Sequence, residues 1–222
     1  ESVAGAVGAP PHNAAELELI VRNARHPPAA WVHSGQCSAG SRVDIRVGGT
    51  FTLAHCGVVA SSGLAAQLPG SWHDHQEEFR CRDLVLVGGG VGLNPLYSML
   101  LEVAGAAARG KRVPYVRVLY SVKCLGDAVL LERLRALEQG VMANRMDVCV
   151  FVTQAPTGDD SRFAQLREGR INHEKLKESL EGCDIEKAIA LICGPKGMAE
   201  QVGHLLHGIG IPTSHVHFES WW

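Results

Sequence analysis

No apolar run in this chain approaches the ~18 residues that a membrane-spanning helix needs, although 46% of its 222 residues are hydrophobic. No basic stripe or arginine-rich tract appears. Lys and Arg number 21 against 23 Asp and Glu, a formal net charge of −2. Nucleic acid is held by clustered positive charge, so it is not an expected partner. No C-x-x-C pair occurs among the seven cysteines, at positions 37, 56, 81, 124, 149, 183 and 193. Their odd number, and the apolar strand patterns around several of them, favour reduced thiols over a disulfide framework. Internal repeats are absent. No charged–apolar–small signal peptide is visible in these residues, so they give no address of their own. A chain of this length can bury one good core or two small ones.

The most informative stretch present is LVLVGGGVGLNPLYSMLLEV, Leu84 to Val103. Four apolar residues, Leu84 to Val87, run into Gly88, Gly89 and Gly90. Gly92, Asn94 and Pro95 follow, then Leu96, Met99, Leu100 and Val103 at helical spacing. This reads as a buried strand, a tight turn and a helix. Backbone N–H groups and the positive helix end make such a corner an anion site, suited to a pyrophosphate. The usual G-x-G-x-x-G fingerprint is missing, because Leu93 stands beyond Gly92. The spacing is G-x-G-x-x-P, Gly90 through Gly92 to Pro95. Proline suits a first helical turn, where its missing N–H costs nothing. A ligand-free βα corner is the competing reading of the same residues.

Further along, LICGPKGMAEQVGHLL (Leu191 to Leu206) repeats the plan. An apolar strand, Ala188 to Ile192, meets a Cys193-Gly194-Pro195 turn and an amphipathic helix from Met198 to His207. The chain ends HVHFESWW, with a strand expected over His215 to Phe218. Between these blocks, strands are expected at Val116–Tyr120 and Val148–Val152. Helices are expected at Pro95–Ala108, Asp127–Glu138 and His173–Leu180. Alternation with continuous apolar strands predicts an α/β fold, a parallel sheet with helices on both faces. Before it, strands are expected at Leu17–Val21 and Val43–Val47, with a short helix at Pro27–His33. Residues 54 to 80 show no pattern and read as an insert or linker. Asp74 lies there between His73 and His75, but a metal site needs three or four ligands at fixed spacing. That stretch reads as a solvated loop, and no metal is expected.

The two glycine-bearing turns, about a hundred residues apart, and the aromatic ending resemble the nucleotide domain of the ferredoxin–NADP reductase superfamily. The segments HPPAAWVH (His26 to His33) and RVGGTF (Arg46 to Phe51) add to the likeness. The resemblance covers roughly 16–51 and 82–222. It implies two domains: 1–81, a partial antiparallel β-barrel left from a flavin domain, with a linker; and 82–222, the NAD(P)-binding domain. It implies an NAD(P)H-dependent flavin oxidoreductase, passing hydride from nicotinamide to FAD and electrons to an unknown acceptor through a redox partner protein. It also implies a mitochondrial location. The family's flavin signatures, Arg-x-Tyr-Ser and a Gly-x-x-Ser turn, are not found. Where the second would stand, the chain reads His26-Pro27-Pro28-Ala29. A nucleotide-binding module without redox activity is the alternative.

On this resemblance Gly89, Gly90, Val91, Gly92, Leu93, Asn94 and Pro95 cradle the pyrophosphate. Asn94 replaces the family's usual threonine and still supplies a donor. Cys193 orients the nicotinamide ring rather than attacking it. Gly194 and Pro195 keep the pocket wall close, and Met198 starts the helix behind it. Glu219 is a candidate proton relay, with an exposed edge position as its plain alternative. Trp222, with Trp221, stacks on a ring or seals the sheet. An acidic residue at the end of the second strand would bind an NAD ribose. Tyr120-Ser121-Val122-Lys123 offers none, so Ser121 and Lys123 lean toward a 2′-phosphate, or are a solvated turn. The cofactor is written NAD or NADP. The histidine pairs 204/207 and 215/217 lack a third ligand.

Overall fold

The computed structural model describes residues 18–44, 49–60, 79–154 and 166–221. Two compact units divide the chain, Glu1–Asp44 and Ile45–Trp222. In the first, helix α1 (Pro27–His33) forms as the sequence suggests, with proline in its first turn. Ser34 Oγ donates to the Trp31 carbonyl at 2.8 Å and closes its end. The His33 ring lies 2.9 Å from the Val21 carbonyl. The strand expected at Leu17–Val21 is not found over 18–21, where the backbone is irregular. Leu19 is 62% exposed, so the alternation has no sheet to lie on. Residues 43–44 form no strand either, and 45–47 lie outside the described residues. Among the described residues before Asp83, none belongs to a sheet ladder beyond the single bridge Val59–Phe79, so no partial barrel is seen there.

The second unit holds the expected parallel sheet. Its strands are β1 (Asp83–Gly89), β2 (Tyr115–Val122), β3 (Met146–Val152), β4 (Leu166–Glu168), β5 (Ile189–Pro195) and β6 (Val216–Trp221). They lie in the order β4-β3-β2-β1-β5-β6, every pair parallel. The helices are α2 (Leu93–Ala108), α3 (Leu131–Gln139), α4 (His173–Ser179) and α5 (Lys196–Ile209). Strands β1 and β5 are buried almost throughout, which is why they read as continuous apolar runs. The chain steps from β1 outward to β4, then returns to the other side of β1. Right-handed crossovers therefore put α2 and α3 on one face and α5 on the other. A Cβ on Gly88 would strike Leu93 of α2, and one on Gly89 would strike Met198 of α5, which confirms that the two helices lie on opposite faces. On the α5 face, Val85, Val87, Leu119, Phe151, Ala190 and Ile192 pack with Leu176, Val202 and Leu206.

Other stretches differ from expectation as well. Helix α3 begins at Leu131, after a 3-10 turn at Leu125–Asp127, not at Asp127. Tyr120 donates its hydroxyl to the Asp127 carbonyl, which an α-helix would use for its own ladder. Strand β4 was not visible in the sequence, because Leu-Arg-Glu carries no apolar run. Of the patternless stretch 54–80, residues 61–78 lie outside the described residues, but 52–58 is a built turn. Cys56 N donates to Thr52 O at 2.9 Å and Val58 N to Leu53 O at 2.9 Å. Gly57 sits at φ +73°, closing the turn in the left-handed region. Leu53, Cys56, Val58 and Val59 are all buried. None of the described helices is long and apolar enough to cross a membrane.

The amino-terminal end of the sheet carries a buried ion pair. Asp83 on β1 is 3% exposed and Arg117 on β2 is 6% exposed. They form a salt bridge, while Arg117 Nη2 donates to the Glu181 carbonyl at 3.0 Å. Asp184 N donates to Asp83 Oδ2 at 3.1 Å. The Arg117 guanidinium also stacks 4.7 Å from the Tyr115 ring centroid, and Tyr115 donates to Asp147 at 2.8 Å. This network ties β1 and β2 to the loop between α4 and β5. Asp83→Ala leaves a buried guanidinium uncompensated, so unfolding in urea should show a loss of about 3–5 kcal/mol. The double change Asp83→Leu with Arg117→Met should recover most of it.

Burial also pushes the Cys81 and Cys183 thiols up to about 12, with the Asp83 charge adding to both. At pH 8 each is a thiolate in roughly one molecule in ten thousand. Exposed Cys124 should react with a thiol reagent in the native protein, and these two only on unfolding. Both groups hold their protons in the folded state above the pH at which unfolded thiols lose them. Their stabilisation is therefore present below pH ~8.5 and is lost as the pH rises toward 12. Urea midpoints should fall from pH 8 to pH 10.

Candidate functional site

The strand order reverses between β1 and β5, so the crevice outside their carboxyl ends is where an open α/β sheet places a ligand. The two motif turns meet there. Register pairs Gly88 with Cys193, and Cys193 with Glu219. In a parallel ladder these partners share a face, so Gly88, Cys193 and Glu219 form a row on the α2 side. On the α5 side, Gly89 pairs with Ser121. The 3-10 turn Gly90–Gly92 follows, and α2 starts at Leu93 rather than at Pro95.

Two glycines have distinct reasons to be glycine. A Cβ on Gly92 would lie 2.3 Å from the Cys193 carbonyl oxygen and 2.8 Å from the Gly194 Cα. The two turns thus touch backbone to backbone. Gly90 has φ +54°, and a Cβ there would meet nothing within 4 Å. It is the one residue of the G-x-G-x-x-P stretch held in the left-handed region with open space beside it. Val91, Asn94 and Pro95 are half-buried around it, and Leu93 is buried in the α2 packing. The capping position of α2 is Gly92, which has no side chain to offer. A sixteen-residue helix with its positive end beside an open left-handed glycine suits an anion.

Several expected site residues fall together, and others do not. Cys193 is completely buried on the α2 side, a thiol shielded from solvent and unfit for attack on a dissolved electrophile. Gly194 packs against Gly89 across the two turns, and a Cβ on it would lie 3.1 Å from the Gly89 backbone. Pro195 ends β5 and is exposed. Met198 lies inside α5, which begins two residues earlier, at Lys196. Its thioether sits under Gly89 and Gly194, so it packs the floor of the turns from the α5 face. Glu219 is half-buried beside Cys193. Ser121 is half-buried at the carboxyl end of β2, and Lys123 is exposed one step beyond the strand. Trp222 lies outside the described residues.

Thr153, near the carboxyl end of β3, was not among the expected site residues. Thr153 N donates to the Val122 carbonyl at 3.0 Å, and its hydroxyl donates to the same oxygen at 3.3 Å. Gln154 N donates to the Lys123 carbonyl at 2.8 Å. The β2–β3 ladder thus runs on past both strands, and alternation sets Ser121, Lys123 and Thr153 on one face. The polar residues directly after VCVFV were the available signal. His217 lies two residues before Glu219 on the same face, and burial together with the His215 charge lowers its pKa.

A family model described as Oxidoreductase NAD-binding domain matches residues 86–204, just over half of the chain. The chain belongs to this oxidoreductase NAD-binding domain family. It is 32% identical over 214 residues to the Danio rerio oxidoreductase NAD-binding domain-containing protein 1, covering 93% of this chain and 69% of that one. Against the Bos taurus protein of the same name, identity is 29%, with 60% of that protein covered. The chain thus spans three-fifths to two-thirds of the length of these relatives. It is also 30% identical, over 62% of its length, to the electron transfer component of a 2-halobenzoate 1,2-dioxygenase from Burkholderia cepacia, covering 37% of that protein. Among solved structures, the cytochrome b5 reductase domain of Ulva prolifera nitrate reductase is similar, with TM-score 0.55 and 20% identity over 64% of this chain and 51% of that one. The flavohem-like FAD/NAD binding domain of Vibrio cholerae nitric oxide dioxygenase follows, with TM-score 0.51 and 21% identity over 67% and 55%. At these identities the structures establish the fold.

Within this NAD-binding fold the two glycines should part company on substitution. Gly92→Ala drives a methyl into backbone that neither turn can yield, so denaturant unfolding should show a loss of about 1–3 kcal/mol. Gly90→Ala has room and should cost about 1 kcal/mol, for its left-handed backbone alone. Nucleotide affinity should fall more for Gly90→Ala than that small stability loss accounts for.

Proposed function

We propose that this domain binds NAD(P)H across the carboxyl ends of β1, β2 and β5, and serves an oxidoreductase that passes hydride to a flavin and electrons onward to a partner protein. Gly90, at φ +54° with open space beside it and next to the amino end of α2, carries the reading, and its setting is completed by the backbone contact between Gly92 and Cys193. That contact brings the glycine turn and the Cys-Gly-Pro turn to one point, where the strand order reverses. The residues that would hold a nicotinamide dinucleotide there are Gly89 to Pro95 and Cys193 to Pro195, and the group would supply the chemistry of hydride donation.

The chain's own groups bind and orient. Backbone amides from Gly89 to Leu93 and the amino end of α2, with Asn94 and Pro95 in its first turn, hold the pyrophosphate. Cys193, packed between Gly88 and Glu219, sets the plane against which the nicotinamide lies. Gly194 and Pro195 keep that wall close, and Met198 fixes it from below. Glu219 accepts a hydrogen bond from the carboxamide or holds a proton at its carboxylate. Ser121 and Lys123 face the adenine-side ribose, where an ammonium suits the extra phosphate of NADP. The electron-transfer role in the name of the Burkholderia cepacia relative accords with this reading.

FAD is less well provided for. The sequence lacks Arg-x-Tyr-Ser, and the described residues before Asp83 supply no ladder to hold an isoalloxazine. These residues do not fit the group, and no catalytic step is assigned to them. The same observations favour a second reading, a nucleotide-binding module without redox activity of its own. A mitochondrial location, resting on the resemblance, belongs to the proposal and is checked by cell fractionation.

Anaerobic titration of the purified chain with NADPH and NADH, followed by absorbance and calorimetry, separates the readings. Saturable nucleotide binding is expected. A flavin band that bleaches on titration supports hydride transfer. Binding without any flavin band supports the module. No binding of either nucleotide reduces the glycine turn to a structural corner.

A further inference from the structure

The chain has four methionines. Three are shut away from solvent: Met99 is 6% exposed, Met142 0% and Met146 3%. Met198, in the first turn of α5, is the exception and is only partly buried against the core. The corner around it is open, since Pro195, Lys196 and Gly197 are all exposed. Its thioether is pressed against both motif turns. A Cβ on Gly89 would lie 2.6 Å from Met198 Sδ and 2.9 Å from its Cε, and one on Gly194 would lie 2.7 Å from that Cε. The sulfur and its methyl group therefore fill the space that side chains at positions 89 and 194 would take. The methionine most open to a dissolved oxidant is thus also the wedge beneath the two turns.

A thioether is oxidised by two electrons to a sulfoxide, which is polar where the thioether is apolar. Hydrogen peroxide or an organic hydroperoxide supplies the oxygen. Its O–O bond breaks, the Sδ lone pair forms an S–O bond, and the remaining oxygen leaves as water or an alcohol. The new oxygen needs a donor or solvent, and burying it without one costs free energy. Swinging out to the exposed corner satisfies it and leaves the turns unsupported.

We propose that Met198 is an oxidation site of the domain: a peroxide converts its thioether to the sulfoxide ahead of the other methionines and so loosens the two turns that meet at the crevice. The loosening stands on packing alone, while its effect on a ligand rests on the nucleotide reading above.

The test treats the parent chain with hydrogen peroxide, then with dithiothreitol to return the reducible products of thiol oxidation. Peptide mass spectrometry should find the added oxygen on Met198 roughly tenfold ahead of Met99, Met142 and Met146. The urea midpoint should fall, and NADH affinity by calorimetry should weaken about tenfold. Methionine sulfoxide reductases for both epimers should restore both readings. Met198→Leu keeps an apolar side chain of similar volume without sulfur. Whatever its own starting values, its midpoint and NADH affinity should be the same before and after peroxide. Oxidation spread evenly over the four methionines, or reaching another of them first, overturns the proposal. So does a Met198 sulfoxide that leaves the midpoint or an existing NADH affinity unchanged, a loss that persists after the sulfoxide is reduced, or a leucine variant as sensitive as the parent. If the leucine variant fails to fold, the parent decides: its midpoint must fall with the Met198 sulfoxide fraction through the time course and return with the reductases. A parent chain that binds no NADH removes the nucleotide reading but not the proposal, which the peptide map and the urea midpoint then decide.

Discussion

The carbonyl of Cys193 occupies the place where a side chain at position 92 would go. Much else in the second unit follows from that contact. It requires β1 and β5 to be neighbours, which their parallel register provides. It requires the chain to have gone out to β4 and returned, because only a reversal of strand order sets these carboxyl ends side by side. It requires small residues on both turns, and Gly89 and Gly194 meet that need one step away. Met198 then seals the pair from the α5 face. Two segments more than a hundred residues apart are locked in register by a contact with no side chain in it.

The sheet's opposite end is built from different chemistry. There Asp83 and Arg117 bury a charge pair, and the loop between α4 and β5 caps it through the Glu181 carbonyl and the Asp184 N–H. A buried ion pair gains little net stability over an apolar pair, but it penalises misalignment heavily. It is satisfied only when β1, β2 and the approach to β5 are in the right register. The polar network at the amino-terminal end therefore fixes the strand positions on which the backbone contact at the carboxyl end depends.

The alternation of strands and helices from Leu84 onward was legible because buried parallel strands are unbroken apolar runs and their helices carry a stripe. The motif turns were legible because glycine and proline mark backbone requirements directly. What was missed had no such mark. Strand β4 is three residues, one of them apolar, paired only at an edge. Helix α3 starts later than the Asp127–Glu138 pattern suggests, because Tyr120, seven residues upstream, donates its hydroxyl to the Asp127 carbonyl. Leu17–Val21 alternates like a strand and lacks a sheet over its described residues. The Thr52–Gly57 turn was passed over because one helical turn has no period to detect. Its evidence, a threonine cap and a left-handed glycine, is visible only once the hydrogen bonds are known.

The glycines also show how a motif mixes two kinds of information. Gly88, Gly89, Gly92 and Gly194 are each excluded from carrying a Cβ by other atoms of the protein. Their presence would be explained in full by a tight corner with no ligand. Gly90 is different, since nothing within 4 Å forbids a side chain there and only its φ of +54° does. Open glycine turns of this kind occur elsewhere in the chain, as at Gly57 and Gly110, but the one at Gly90 lies between a strand end and the positive pole of a long helix, which leaves room for an anion. The packing explains four glycines, and the anion site is the economical account of the fifth. The functional reading therefore stands on Gly90 and the helix behind it more than on the count of glycines.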